Sequence, residues 1–179
     1  ILAALLIIPF HSYSSEFSIK KYNLSIQLKE GWVGDKKAPK SVLALFKAQD
    51  SIEQESVFIP NFSIVVDKSD GEKVQDSCEY ATKLSPSLTK AGYQQVVMEK
   101  ETISELNACS NTYVNVLKGQ KKDSSVASDG EEETVSLKFR QYYIFHKKLI
   151  YIFTLTAKES EFEVRVLDAL QMLLTLRLT

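Results

Sequence analysis

The sequence predicts an α+β protein with an antiparallel sheet that carries helices on both of its faces. The main evidence is the stretch 135–157, where two runs rich in β-branched and aromatic residues flank the polar step His146-Lys147-Lys148, as in a β-hairpin. The second run is apolar on both faces, and a strand of that kind needs cover on both sides of its sheet. Two stretches with helical periodicity, 70–92 and 160–176, are available as cover. The apolar residues of the second run are Ile150, Tyr151, Ile152, Phe153 and Leu155.

Length and charge limit the classes of protein that this chain can belong to. Its 179 residues are enough for one domain with a single core. With 22 basic and 23 acidic residues the net charge is −1, so no overall field attracts nucleic acid or an anionic membrane. The sequence also lacks a nucleic-acid-binding motif, and we therefore expect no nucleic-acid partner.

The first fourteen residues are typical of the end of a secretory signal peptide. An apolar run ends at Pro9 and is followed by small residues at Ser12 and Ser14, which predicts cleavage after Ser14. A buried helix or strand is the alternative, because ten apolar residues suit both interpretations. On the first interpretation the mature protein is a single domain, residues 15–179, exported to the periplasm or the extracellular space. No stable transmembrane span is then expected after cleavage.

The first half of the domain alternates like a β-protein. One or two strands are predicted over 17–28, a turn at Gly31, and a further strand over 41–47. The segment 48–56 is predicted to be a polar connection. A strand over 57–66 contains Pro60, which predicts either an edge strand or a bulge. Trp32, the only tryptophan, follows the turn, where it is either a lid on the core or a platform for a ligand.

A long helix is predicted over 70–92, with Gly92 as its C-terminal stop. Pro86 interrupts the pattern and predicts a kink, or two short helices that meet near Ser85. Cys78 lies on the apolar stripe of this helix, and Cys109 lies near the start of a later strand. An even cysteine count in an exported chain permits a Cys78–Cys109 disulfide, with two separate buried thiols as the alternative.

The second half is predicted to contain strands over 93–105 and 108–118, with Asn107 in the turn between them. The segment 119–134 has no apolar periodicity and is predicted to be a surface loop. Its glutamates lack the ligand spacing of a calcium loop, and we expect no metal site. After the hairpin, Ser160 and Glu163 resemble a capping box that opens a final helix with an apolar face from Phe162 to Leu176.

Taken together, this order of elements resembles the Mog/PsbP-like superfamily, including the exported DcrB-like proteins of bacteria. The resemblance covers about residues 17–178 and depends most on 24–32, 151–157 and the helix from Ser160. It implies a three-layer α/β/α sandwich around a central antiparallel sheet. It also implies a non-enzymatic binding or assembly role, without a shared set of catalytic residues. The Lys147-Lys148 turn departs from the pattern, since glycine or asparagine is expected there.

The first functional hypothesis is therefore an exported protein that binds an unknown protein partner in the cell envelope and uses no cofactor. The alternatives are a hydrolase and a small-ligand carrier with a pocket between sheet and helix near Trp32, Arg140 and Tyr142. Nucleophilic catalysis usually needs a base beside the nucleophile, and the only histidine after the signal, His146, is predicted to lie in a turn beside two lysines. No catalytic residue is assigned.

Overall fold

The computed structural model describes residues 13–54, 56, 58–68, 76–118 and 134–179. Residues 119–133 of the loop predicted over 119–134, the predicted start of the long helix at 70–75 and most of the predicted signal peptide lie outside these residues. Thr134 is the first residue of a strand. Cleavage after Ser14 stays a prediction; that point falls inside the first strand, which begins at Tyr13. No helix in the described ranges is long and apolar enough to cross a membrane.

Ten strands and three α-helices form the described part of the chain, and a 3₁₀ turn at Lys20–Tyr22 joins the first two strands. In chain order they are β1 (Tyr13–Ile19), β2 (Leu24–Lys29), β3 (Trp32–Gly34), β4 (Ala44–Ala48), α1 (Gln49–Glu53), β5 (Asn61–Asp67), α2 (Ser77–Lys90), β6 (Gln94–Ile103), β7 (Leu106–Lys118), β8 (Thr134–His146), β9 (Leu149–Lys158), α3 (Phe162–Leu173) and β10 (Arg177–Leu178).

A seven-stranded antiparallel sheet forms the middle layer, in the order β3-β4-β5-β9-β8-β7-β6. β5 and β9 are adjacent in this sheet although they are distant in sequence, and they pair from Asn61 with Thr156 to Asp67 with Ile150. A second, three-stranded sheet has the order β1-β2-β10. The two strands predicted over 17–28 are thus confirmed, but they belong to this separate sheet, which the sequence did not predict.

The two longer helices lie on opposite faces of the large sheet, as predicted. In β9, Tyr151 and Phe153 belong to the core cluster under α3, whereas Ile150 belongs to the cluster under α2. In β8, Tyr142 faces α3 and Tyr143 faces α2. The small sheet shares the α3 side, where its buried side chains pack into the same cluster as α3. The fold is therefore an α+β three-layer sandwich around a central antiparallel sheet. The buried side chains of the small sheet are Leu24, Ile26 and Leu28.

Helix α2 is capped at both ends by its own sequence. The Asp76 side chain accepts a hydrogen bond from the Glu79 N–H at 2.8 Å. At the other end Gly92 has a φ of +91°, and the N–H of Tyr93 donates to the Leu88 carbonyl, as in a Schellman motif. Gly92 is thus confirmed as the stop. The prediction of two short helices is wrong, because one continuous helix contains Pro86 in its last turns.

Four other local predictions are wrong. The β6–β7 turn is Ser104-Glu105, and Asn107 pairs with Thr102 inside the ladder. Pro60 precedes β5, which is an interior strand with an unbroken register. Because proline cannot donate a hydrogen bond to a neighbouring strand, β5 starts only after it. The segment 48–56 contains α1. Ser160 does not cap α3, whose N-cap residue is Glu161 without a side-chain cap bond.

The β8–β9 hairpin turns at Lys147-Lys148, as predicted, and it does so without glycine. His146 pairs with Leu149, and the two lysines between them have φ values of 48° and 65°. Two positive φ angles in a two-residue loop are the backbone of a type I′ turn. Since side chains with a Cβ are strained in this region, the hairpin holds its lysines in an unfavourable conformation.

Candidate functional site

Two features of the α3 side of the molecule are candidates for function. The first is a charged cluster on the sheet, made of Glu99, Glu101, Ser110, Arg140 and Tyr142. The second is an exposed apolar stripe on α3 and the residue that follows it, made of Val164, Leu167 and Leu174, which we call the α3 stripe.

Strand register brings the charged cluster together. Ser110 of β7 pairs with Tyr142 of β8, and Glu99 of β6 pairs with Ser110, so their side chains share one face. Arg140 Nη2 donates to Ser110 Oγ at 3.1 Å and to Glu99 Oε2 at 3.1 Å, and it also contacts Glu101 Oε1. The Arg140 guanidinium carbon lies 5.5 Å from the centre of the Tyr142 ring.

Two donors of this cluster lack an acceptor among the described residues. These are Arg140 Nε and Tyr142 Oη, both of which are buried. Burial raises the pKa of Tyr142 well above its ordinary value, against the opposing charge of Arg140. The phenol therefore stays protonated at neutral pH and can donate a hydrogen bond but cannot act as a base. Each of the two donors is available to an acceptor oxygen. The Ser110 hydroxyl of the cluster already donates to Glu101 Oε1 at 2.5 Å.

The structure brings together only two of the three residues predicted for binding. Arg140 and Tyr142 are neighbours on one face of β8, whereas Trp32 lies on the edge strand β3, with β4, β5 and β9 between them. Trp32 is 3% exposed, and its Nε1 donates to Asp168 Oδ2 at 3.3 Å. This geometry is that of a lid on the core. The intervening strands keep Trp32 too far from Arg140 and Tyr142 for the three side chains to line one pocket, and binding by any of them stays a prediction.

Asp168 is the buried centre of an ionic cluster that fastens α3 to β2 and α1. The carboxylate is 7% exposed and contacts Lys29 Nζ of β2. Arg165 Nη1 lies 3.6 Å from Asp168, and Arg165 Nη2 lies 2.7 Å from Asp50 of α1. Buried charges in proteins are usually paired in this way. We interpret this cluster as structural, since each charge is paired within the protein.

The two cysteines predicted to pair form a disulfide. Cys78 of α2 and Cys109 of β7 are bonded with their Cα atoms 5.0 Å apart. The bond lies in the α2-side core beside Tyr80, Ala81 and Tyr143. It joins the first turn of the helix to the sheet, which is a structural role.

His146 is the last residue of β8 and lies directly before the turn. Burial, and then the charge of Lys147, lowers its pKa below the ordinary value. The described residues contain no group of three His, Cys, Asp or Glu side chains that could hold a metal ion. His146 Nε2 is buried and has no hydrogen-bond partner among the described residues, so no nucleophile is hydrogen-bonded to it there.

A shallow depression of about 430 Å³ lies where the small sheet, the β6–β7 turn and the end of α3 meet. The Ser104 hydroxyl contacts the carbonyl oxygens of Leu173 and Leu174 there, at 2.9 and 2.8 Å. The depression differs from the deep apolar cavity that small-ligand sites usually have. Its lining residues are Gln27, Ser104, Glu105, Leu174, Thr175, Leu176 and Arg177.

Sequence reasoning missed the α3 stripe, which is the main apolar feature on the outside of α3. Val164, Leu167 and Leu174 are 62%, 60% and 67% exposed, although most aliphatic residues of the helix are buried. Their spacing of three and seven residues places them on one side of the helix. The signal is present in the sequence as aliphatic residues that lie outside the predicted apolar face of the helix.

The comparisons with known proteins extend the resemblance to solved structures. No protein-family model and no curated protein matches the chain. Cyanobacterial PsbP (CyanoP) from Synechocystis sp. PCC 6803 matches with a TM-score of 0.55 and 14% identity over 92% of each chain. LpqN of Mycobacterium tuberculosis is described as involved in cell envelope biogenesis. It matches with a TM-score of 0.53 and 11% identity, over 87% of this chain and 83% of LpqN.

The Ran-binding protein Mog1p of Saccharomyces cerevisiae matches with a TM-score of 0.54 and 8% identity, over 93% of this chain and 96% of Mog1p. These identities are low, so the likeness concerns the fold. The three layers, the central antiparallel sheet and the helix on each of its faces are consistent with this likeness in fold. The chain accordingly has the Mog/PsbP-like fold.

Proposed function

We propose that this protein is a non-enzymatic, exported binding or assembly protein that acts through protein–protein contacts in the cell envelope, and that the α3 stripe is its contact surface. The observation that carries the proposal is the exposure of Val164, Leu167 and Leu174 on one side of a helix. Large apolar side chains exposed on one face of an element are typical of an interaction site.

The spacing of the stripe indicates the kind of partner. Val164, Leu167 and Leu174 follow the three- and seven-residue intervals of a helix–helix seam. We therefore infer that the partner presents an amphipathic helix with its own apolar residues. Three aliphatic side chains offer only a few hundred Å², whereas a stable dimer buries about 800 Å² on each partner. Since an interface with any stable partner needs that area, we infer that the contact extends beyond the stripe onto the surface around it.

Two further observations support the envelope location. The Cys78–Cys109 disulfide suits an oxidising compartment, because disulfides are rare in the cytosol. LpqN, which shares the fold, is described as involved in cell envelope biogenesis. In the charged cluster the Ser110 hydroxyl donates to Glu101 Oε1, but Arg140 also holds that carboxylate and no histidine belongs to the cluster, so this arrangement does not favour the hydrolase. The shallow depression likewise does not favour the carrier.

Site-specific photo-crosslinking in the native envelope fraction tests the proposal. A photoreactive side chain at Leu167 should yield one discrete crosslinked product, and the same group at Val96 should not. Val96 is a matched control because it is 60% exposed, as Leu167 is, but lies on the edge strand β6. The substitution Leu174→Glu should abolish the product from Leu167 without changing the unfolding midpoint. Equal products from both positions, or none from either, would contradict the α3 stripe as the contact surface.

A further inference from the structure

We propose that one end of the sandwich docks on anionic phospholipid. Its basic residues come from three separate segments of the chain, and we call this surface the lysine end. The overall charge of −1 conceals it, because the charges are local. The residues of the lysine end are Lys20, Lys21, Lys68, Lys147 and Lys148.

Strand pairing places three of these lysines at one end of the strands of the large sheet. Lys147 and Lys148 form the tip of the β8–β9 hairpin. Lys68 directly follows β5, whose last residue, Asp67, pairs with Ile150 of β9. Adjacent strands are about 4.8 Å apart, so Lys68 emerges beside the hairpin tip.

The ring of Tyr22 places the other two lysines at the same end of the strands. Lys21 Nζ and Lys68 Nζ lie 5.5 and 5.4 Å from the centre of that ring. The Tyr151 hydroxyl of β9 donates to the Tyr22 carbonyl at 2.9 Å, which holds the 3₁₀ turn against the large sheet. Lys20 begins the same turn. The small and large sheets therefore both supply lysines to this end of the sandwich.

The charge of this surface is not neutralised within the described structure. All five lysines are exposed, and none of them has an ion pair with a described residue. Three carboxylates of the described residues lie at this end: Asp67 at the end of β5, Asp76 before α2, and Glu105 at the tip of the adjacent β6–β7 hairpin. With five lysines against three carboxylates, the balance of charge among the described residues at this end is basic.

The residue types favour a lipid surface over an acidic protein. Arginine is preferred where a planar carboxylate is bound in a bidentate geometry, whereas the lysine end consists of flexible point charges. Lysines on the tips of separate loops can each reach the phosphates of a flat headgroup layer. Tyr22, half-buried between two ammonium groups, is a side chain that suits the membrane interface.

Vesicle co-sedimentation of the whole chain tests this inference. The protein should bind phosphatidylcholine vesicles that contain about 30 mol % phosphatidylglycerol but not pure phosphatidylcholine, and raising the salt to about 0.5 M should release it. The triple variant K21Q/K68Q/K148Q should weaken binding by about tenfold or more. The variant K83Q/K90Q/K100Q changes the net charge equally, but its lysines lie on α2 and β6, and it should bind like the parent.

Equal loss of binding in both triple variants would overturn the proposal, because it would show a response to net charge alone. No binding to either vesicle, together with binding of polyglutamate that requires the lysine end, would also overturn it and indicate an acidic protein partner. Leu167→Glu should leave vesicle binding unchanged, so that this result and the crosslinking result are independent.

Discussion

Replacement of Tyr142 by phenylalanine is expected to stabilise the protein. The Tyr142 hydroxyl is fully buried, and it has no hydrogen-bond partner among the described residues. A buried polar group without a partner costs about 1–3 kcal/mol. The substitution removes that group and keeps the ring, so the free energy of unfolding should rise by about 1–2 kcal/mol. For a chain of this length, this corresponds to a rise of roughly 2–8 °C in Tm.

Tyr143 is a matched control because it is the next residue and equally buried, but on the opposite face of β8. Its hydroxyl donates to Gln141 Oε1 at 2.5 Å, and Gln141 in turn donates to Thr154 at 3.2 Å. Tyr143→Phe should therefore lower the free energy of unfolding by about 1 kcal/mol. The two variants remove the same atom and are predicted to change stability in opposite directions.

Equilibrium urea unfolding, followed by circular dichroism, measures both changes, and equal m-values would show that the unfolded states are comparable. The reasoning is refuted if Tyr142→Phe is destabilised as much as Tyr143→Phe. That outcome would mean that the Tyr142 hydroxyl already holds an acceptor, such as an ordered water. The charged cluster around Arg140 would then be an occupied site.

Three further predictions concern stability. The double variant C78A/C109A should lose about 3–4 kcal/mol, because its disulfide closes a loop of 31 residues, and urea unfolding of the variant measures the loss. The change K147N/K148G should raise Tm, since it relieves two strained backbone positions of about 1 kcal/mol each; an unchanged Tm would contradict the strain. Partial burial opposes ionisation of Asp50, but hydrogen bonds led by Arg165 lower its pKa. The free energy of unfolding of the parent protein should therefore exceed that of Asp50→Asn at neutral pH, by less than about 1 kcal/mol. This difference should vanish as the pH falls through the lowered pKa.

The sequence predicted those features whose pattern is contained within a single strand or a single helix. The apolar faces of β9 required two covering layers, and α2 and α3 supply them. The turn at Ser104-Glu105 was missed, since both residues adopt positive φ values that their side chains disfavour. Alternation over 17–28 identified two strands, but alternation reports only the face of a strand and not the sheet to which it belongs.

The candidate sites were less predictable because they depend on distant residues. Trp32 and Asp168 are 136 residues apart, and no local pattern pairs them. Arg140 and Tyr142 were identified together because they share one face of one strand. The lysine end joins the turn after β1, the end of β5 and the β8–β9 hairpin, and only the assembled sandwich brings these segments together.

The pairing of β5 with β9 has a consequence for how the chain folds. Strands β6 to β9 form a continuous meander of sequence-adjacent pairs, to which α2 is bonded by its disulfide. Strands β3 to β5 form a second local group, and the two groups join along β5 and β9. Contacts between residues distant in sequence form slowly, because closing the long loop between them costs conformational entropy. The seam between β5 and β9 is therefore expected to form late, and substitutions there should speed unfolding more than they slow folding.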